Sequence, residues 1–264
     1  MAILGADGGQ GPEPSIATVV AGIHERLDQL STRSHRRVFM ATYQRTTRAV
    51  GDAVARGEFE DPGWVERWDV AFANLFLSAF DSALTGAEGV PRPWQLAFSA
   101  SPGLPPLRHV LLGVNAHVNY DLPQALLSVI SDDDFTDPLL MKRRRRDHER
   151  IDKVLASRVA AEDNQLNANG GATLLDRLLT PLNRQGSKRF LREARQKVWH
   201  NTVELQNARV AGPQEYAVRL AELELLSAAK IADLLQPGQV LLRLAVAGFG
   251  VILPPPKFAN PPNA

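Results

Sequence analysis

A histidine followed four residues later by an acidic residue recurs along the chain. Three such pairs are His117 with Asp121, His148 with Asp152, and His200 with Glu204. In an α-helix these positions lie on one face, one turn apart. An imidazole nitrogen and a carboxylate oxygen at that spacing can bind one metal ion if other elements complete the shell. The same spacing also fits a carboxylate that pairs with the ring and orients it, so both interpretations stay open.

The pair at His117 lies in the most informative stretch, residues 111–123, where polar residues interrupt an apolar helical pattern. Gly113 precedes His117 by one turn and leaves space on that face for a backbone or a ligand. Asn115 lies near the edge of the same patch. We assign Asn115 and Tyr43 to substrate binding.

Carboxylates on other predicted helices supply candidates for the general base. Asp69 lies beside Trp68 and Phe72 on the most aromatic helix, where a buried carboxylate requires a partner. Asp147 lies on a later helix, directly after the run Arg143–Arg146. Either Asp69 or Asp147 is predicted to act as the base.

The other two histidine pairs differ in their surroundings. His148 follows the arginine run and is predicted to face solvent. His200 has apolar neighbours, including Trp199, that predict half burial. His200 and Glu204 are therefore predicted metal ligands together with His117 and Asp121, in the way that helical bundles build metal sites from several helices.

Three segments of the sequence, residues 43–47, 59–73 and 112–122, carry a resemblance to a known family. They resemble a family of actinobacterial proteins known only as a domain of unknown function. The resemblance implies one folded unit over most of the chain and says nothing about its chemistry.

The pairs His117–Asp121 and His200–Glu204 are also similar to the paired helix ligands of zinc-dependent phospholipase C and the related single-strand nucleases. Those enzymes are all-helical and cleave phosphoesters at a zinc cluster. The resemblance implies that each pair holds one ion, with Asp69 as a further ligand. The chain departs from that family at Pro123, where the family has a second histidine, and in its N-terminal tail, where the family has a ligating amino group.

The function predicted on this basis is metal-dependent hydrolysis of a phosphoester or a related small substrate. A divalent metal ion such as zinc would lower the pKa of a bound water and stabilise charge on the phosphoryl oxygens.

Two alternatives to this function stay open. Residues 132–137 contain an Asp-Asp-x-x-Asp pattern that could bind magnesium and the diphosphate of an isoprenoid substrate, with Arg143–Arg146 assisting. Pro138 follows directly and favours helix capping instead.

The second alternative is a non-enzymatic helical binding or scaffold protein. In it Asn115, His117 and Asp121 would form a buried structural network.

The composition limits the classes of partner. With 30 basic and 29 acidic residues the chain has no global field to attract nucleic acid, and we predict no nucleic-acid role. The run Arg143–Arg146 is predicted to be a solvated face with ordinary surface ion pairs. The chain has no cysteine, which excludes disulfides and thiolate chemistry and fits a cytoplasmic location.

The periodicity predicts an all-α fold, a single multi-helix bundle-like domain over residues 15–253 with disordered tails at 1–14 and 254–264. Pro123 is predicted to end or kink a helix, and Gly170-Gly171 to break the chain before a short helix at 173–179. The apolar stretch Val240–Leu253 is too short to span a membrane and could pack against another subunit.

Overall fold

The computed structural model describes the backbone of residues 14–166, 184–240, 243–244 and 248–256. Side chains are described for 14–154, 193–240, 243–244 and 248–256. Within these ranges the chain forms helices and no strand, which confirms the all-α prediction. The predicted break at Gly170-Gly171, the short helix after it and nearly all of both predicted tails lie outside the described residues.

The described part of the chain is built from successive helices. In chain order they are α1 Ile16–Gln29, α2 Arg36–Ala55, α3 Pro62–Thr85, α4 Arg92–Phe98, α5 Pro106–Ala116, a π-helical turn His117–Asp121, α6 Leu122–Ser128, α7 Asp132–Thr136, α8 Pro138–Leu166, α9 Arg184–Ala211 and α10 Pro213–Leu235.

The start of α3 shows why the sequence marks it clearly. The Asp61 side chain accepts a hydrogen bond from the backbone N–H of Trp64 at 2.9 Å, and Pro62 occupies the first helical position. Pro has no N–H to leave unpaired there, and its fixed φ suits a helix start. At the other end Gly86 adopts φ +69°, a conformation that suits glycine and ends the helix.

Helix α3 is the centre of the domain. It packs against α1, α2, α4 and α6, while α9 packs against α6, α8 and α10. Its aromatic residues are almost fully buried, as their pattern predicts, and belong to the main hydrophobic core: Trp64, Trp68, Phe72, Phe76 and Phe80. The helices form one compact domain.

The helix after Pro106 does not simply kink at Pro123. It widens into the π-helical turn His117–Asp121, in which the Leu122 N–H donates to the carbonyl oxygen of His117 five residues earlier. Pro123 cannot donate to the carbonyl of Asn119, so a regular α-helix would lose a bond here. The turn lets the chain continue into α6, in which Pro123 is the second residue. Turns of this kind are often found at functional sites.

None of the helices in the described part of the chain combines the length and the apolar character needed to cross a bilayer.

Candidate active site in the helical core

The imidazole ring of His117 is enclosed by aromatic side chains. The Phe72 ring stacks on it with a centroid separation of 3.5 Å and an interplanar angle of 5°. Tyr43 meets it edge-on at 4.6 Å. Three further aromatic rings lie around it within about 6 Å: Phe39, Phe76 and Trp94. The surrounding aromatic rings thus restrict the orientation of the imidazole.

His117 and Asp121 pair with each other across the π-helical turn. His117 Nδ1 lies 2.8 Å from Asp121 Oδ2, and Trp94 Nε1 donates to the same oxygen at 2.8 Å. The side chains of the pair are 3% and 2% exposed. Burial lowers the pKa of His117 well below its ordinary value, so the ring is neutral. Burial also raises the pKa of Asp121, and the hydrogen bond from Trp94 opposes that rise.

Four polar side-chain atoms near this pair are buried without a hydrogen-bond partner in the described structure. They are His117 Nε2, Tyr43 Oη, Asp69 Oδ2 and Trp68 Nε1. Buried polar groups in folded proteins are paired in the great majority of cases, because an unmade bond costs about 1–3 kcal/mol. Their concentration on α2, α3 and the π-helical turn therefore distinguishes this region from an ordinary apolar core.

The pKa of the Asp69 carboxyl is shifted into the neutral range. Burial, followed by the charge of Glu66, raises its pKa to about 7, and the charge of Arg195 opposes the rise. The charge of Asp69 in turn adds to the effect of burial in raising the pKa of Tyr43. Asp69 is thus coupled electrostatically to the ring that touches His117. A buried carboxyl tuned in this way is a candidate acid–base group.

His148 extends this region toward α8 and α9. It is fully buried, with its ring 6.4 Å from Trp68 and 5.8 Å from Trp199. The prediction that it faces solvent was wrong, because α8 turns this residue toward α3 and α9. Arg195 Nη1 lies 3.3 Å from His148 Nε2, and Arg195 Nε donates to Asp152 at 2.9 Å. The guanidinium thus separates the predicted pair of His148 and Asp152.

We call these residues the core polar cluster: Tyr43, Asp69, His117, Asp121, His148 and Arg195. Sequence reasoning found the first four as site residues. It missed Arg195, whose partners are 43 and 47 positions away. Sequence reasoning also did not identify Trp94, which donates a hydrogen bond to Asp121.

Asp147, the second predicted base, lies elsewhere. It is fully buried, and its carboxylate accepts the backbone N–H groups of Glu60 and Asp61, each at 2.8 Å. Arg150 donates to it at 3.2 Å. These bonds hold the loop before α3 against α8, which is a structural task.

The arginine run serves the same loop and is only partly solvated. Arg146 binds Glu60 through two hydrogen bonds of 2.8 and 2.6 Å. Arg144 is buried, binds Asp61 and lies over the Trp64 ring at 4.9 Å. The prediction of a solvated face is therefore wrong for Arg144, since the loop brings carboxylates to it.

His200 and Glu204 each bind a different partner. His200 Nε2 lies 3.2 Å from the carbonyl oxygen of Leu253, and Glu204 accepts from Arg219 at 3.0 Å. Across the described side chains, no three His, Asp or Glu residues are grouped so that they could hold a metal ion. The predicted zinc ligands at His117, Asp121, His200 and Glu204 are thus divided between two regions, and metal binding stays a prediction.

Asn115 lies on α5, two residues before His117. Its side chain donates to the carbonyl of Leu111 at 2.8 Å and accepts from Asn119 at 3.1 Å. The space that Gly113 leaves is filled by Phe39: a Cβ at Gly113 would lie 2.4 Å from that ring. The predicted close approach is real, but a side chain of α2 makes it.

The Asp-Asp-x-x-Asp segment is used for helix starts and ion pairs. Asp132 accepts from Gln206 and Arg209, both at 2.8 Å. Asp137 caps α8 by accepting the N–H groups of Leu139 and Leu140. Magnesium binding there stays a prediction, and the capping interpretation accounts for these contacts.

Comparison with known proteins identifies a family but not a biochemical function. The model of a family of unknown function, DUF5995, matches residues 16–237. Neither the curated proteins nor the solved structures contain a match to the chain.

Proposed function

Because the chain belongs to the DUF5995 family, whose function is unknown, we propose from the site alone that it is a hydrolase with its catalytic groups in the core polar cluster. One observation carries the proposal. Asp121 holds His117 through Nδ1, and the opposite nitrogen, Nε2, is buried without a partner beside Tyr43 and near other unpaired polar atoms.

His117 is the proposed general base. Asp121 Oδ2 accepts from Nδ1–H, which selects the tautomer whose Nε2 carries a lone pair. A water molecule that attacks the substrate gives its proton to Nε2 as its oxygen bonds to the phosphoryl or acyl centre. The imidazolium formed in that step is stabilised by the Asp121 carboxylate, as in other carboxylate–histidine pairs.

Asp69 is the proposed general acid. A carboxyl group with a pKa of about 7 keeps a substantial protonated fraction near neutral pH. It gives this proton to the oxygen of the leaving group as the ester bond breaks. Arg195, whose charge reaches Asp69, would balance the negative charge of an anionic substrate such as a phosphoester.

The predicted divalent ion has one suitable donor in this arrangement. The lone pair of His117 Nε2 would then bind the zinc ion, oriented by the Nδ1 bond to Asp121, and His117 would not act as the base in that form. This differs from the sequence prediction, in which His117 and Asp121 ligate the same ion together.

The substrate would enter through the cleft beside α2. That cleft is lined by eight residues, which include His35, Phe39, Trp94, Phe98, His109 and Gly113. Phe39 and Trp94 also contact the His117 ring, so rotation of Phe39 would connect the cleft to the base.

The test is turnover of p-nitrophenyl phosphate, bis(p-nitrophenyl) phosphate and p-nitrophenyl acetate, with and without added zinc. We expect His117→Gln and Asp69→Asn to lower kcat/KM by about 100-fold or more. His200→Gln is the matched control and should retain activity. Absence of turnover across the panel, or activity that survives both core substitutions, would overturn the proposal. Zinc-dependent turnover lost with His117→Gln would support the metal form.

A further inference from the structure

The last described residues form an extended segment that lies along the helices. This C-terminal segment, residues 248–254, lies outside the helices and runs along α9, α10 and the π-helical turn. Leu253 is 1% exposed and Phe249 is 6% exposed, whereas Ile252 between them is 52% exposed. Alternate side chains therefore point into a groove, as in an extended peptide bound to a protein.

Side chains of the groove bind the backbone of the segment at every residue but one. Asn201 makes a two-way contact: its Nδ2 donates to the carbonyl of Val251 at 3.0 Å, and its Oδ1 accepts the N–H of Leu253 at 2.9 Å. The remaining carbonyls are bound by further polar side chains: Lys230 to Gly248, Asn119 to Phe249, Lys197 to Gly250, His200 to Leu253 and Arg219 to Pro254.

Contacts to the backbone carry little sequence information, so the groove would bind the main chain of any extended peptide. The side chains that it selects are set by three positions. Leu253 enters a small apolar pocket with Tyr120, Leu205 and Leu223, and Phe249 joins the main core. At Gly250 a Cβ would lie 2.8 Å from Lys197 Cδ and 3.6 Å from the α9 backbone, which selects glycine.

The groove and its occupant differ in their relation to the family. Every side chain that binds the segment lies within the matched residues 16–237, whereas the segment itself lies beyond that match. The groove thus lies in the part of the chain that the family model matches, and the segment follows that part.

We infer that this groove is a peptide-binding site that the chain fills with its own C-terminal segment. The ligand is an extended segment of another protein with an aromatic residue followed directly by glycine and, three residues after that glycine, an aliphatic residue. Such a ligand competes with residues 248–254 for the same hydrogen bonds. This inference does not depend on the hydrolase proposal.

Displacement of the segment can be measured in the full chain. Because the protein has no cysteine, Ile252→Cys introduces one labelling site at an exposed position. A nitroxide there should give an immobilised spectrum. A peptide with the sequence of residues 248–256, added to about 10 mM, exceeds the local concentration of a tethered segment and should mobilise the label. The same peptide with serine in place of Phe, Val and Leu should not.

A second variant tests the groove without competition. Leu253→Asp places a carboxylate in an apolar pocket and should release the segment. We expect this variant to bind a fluorescently labelled peptide of residues 248–256 at least about tenfold more tightly than Ile252→Asp does, because the tethered competitor is gone. Fluorescence anisotropy measures both affinities. Adding Asn201→Ala should remove the gain.

Three results would overturn the inference. The first is a monomeric protein whose spectrum the peptide leaves unchanged. The second is an equal effect of the native and the serine-substituted peptides. The third is a dimeric protein whose label does not respond to the peptide. The last would indicate exchange of the segment between two copies. Should Leu253→Asp fail to fold, the spin-label experiment decides alone.

Discussion

The two predicted metal-ligand pairs have the same spacing in the sequence, but the fold gives them different surroundings and different partners. His117 and Asp121 lie on a π-helical turn, are almost fully buried and bind each other. His200 and Glu204 lie on α9, and each binds a different element, the C-terminal segment and Arg219. Spacing places two side chains on one face of a helix, but the neighbouring elements decide whether they meet.

A fourth pair with the same spacing sharpens this comparison. His24 and Asp28 on α1 lie 3.5 Å apart, with side chains 65% and 64% exposed. An exposed pair of this kind contributes little to stability. The pair at His117 combines enclosure, a carboxylate bound to one ring nitrogen and an unpaired second nitrogen, whereas the buried ring of His148 faces Arg195, so we place the chemistry at His117.

The largest effect is expected from Asp69. The folded state keeps a proton on this carboxyl up to about pH 7, whereas the unfolded state loses it near its ordinary value of 3.8. The contribution of Asp69 to the free energy of unfolding is therefore fully present below about pH 4 and is lost as pH rises toward 7. The loss is on the order of 4 kcal/mol.

Replacing this carboxyl should remove that pH dependence. We expect the stability of Asp69→Asn relative to the wild type, measured by urea unfolding, to rise between about pH 4 and pH 7, because the fall that Asp69 causes is gone. The exposed Asp133→Asn is the matched control and should keep the wild-type profile. A difference in stability between the wild type and Asp69→Asn that stays constant over this interval would show that Asp69 is ionised in the fold.

The next effect concerns the aromatic wall of His117. Gly113→Ala places a methyl group 2.4 Å from the Phe39 ring, so one of the two must move. Overpacking of a core should lower the free energy of unfolding by about 3 kcal/mol. The control is Gly63→Ala, where the nearest atom is the mobile end of Arg67 at 3.6 Å. Equal unfolding midpoints for the two variants would contradict the close contact.

The smallest effect compares the acidic members of the two pairs. Asp121→Asn replaces a buried acceptor shared by His117 and Trp94, and should cost about 2 kcal/mol. Glu204→Gln should cost about 1 kcal/mol or less, because Arg219 keeps its bonds to Glu222 and Pro254. Thermal and urea unfolding would measure both, and a larger loss at Glu204 would reverse the comparison.

The sequence was informative wherever a local pattern decides the structure. The cap Asp61-Pro62, the aromatic face of α3 and the disturbance at Pro123 all follow from residues within a few positions of one another. Tyr43, Asp69, His117 and Asp121 were likewise recognisable as site candidates. Their selection depended on residue type, burial and one-turn spacing.

The remaining features depend on contacts between distant parts of the chain. The burial of His148 requires Arg195 on α9, 47 positions away, and the burial of Arg144 requires Asp61, 83 positions away. The engagement of His200 and Asn201 requires the C-terminal segment. No local pattern encodes these contacts, because they arise when the helices pack.

The most direct test of the account is the protonation state of His117, observed by nitrogen NMR of histidine-labelled protein. His117→Gln assigns the signal, and His24, on the exposed pair, serves as an internal comparison. The account predicts a neutral ring with its proton on Nδ1, a bare Nε2, and no titration between about pH 8 and pH 6. A proton on Nε2 throughout that range would contradict it, because the proposed base would then have no lone pair to accept a proton.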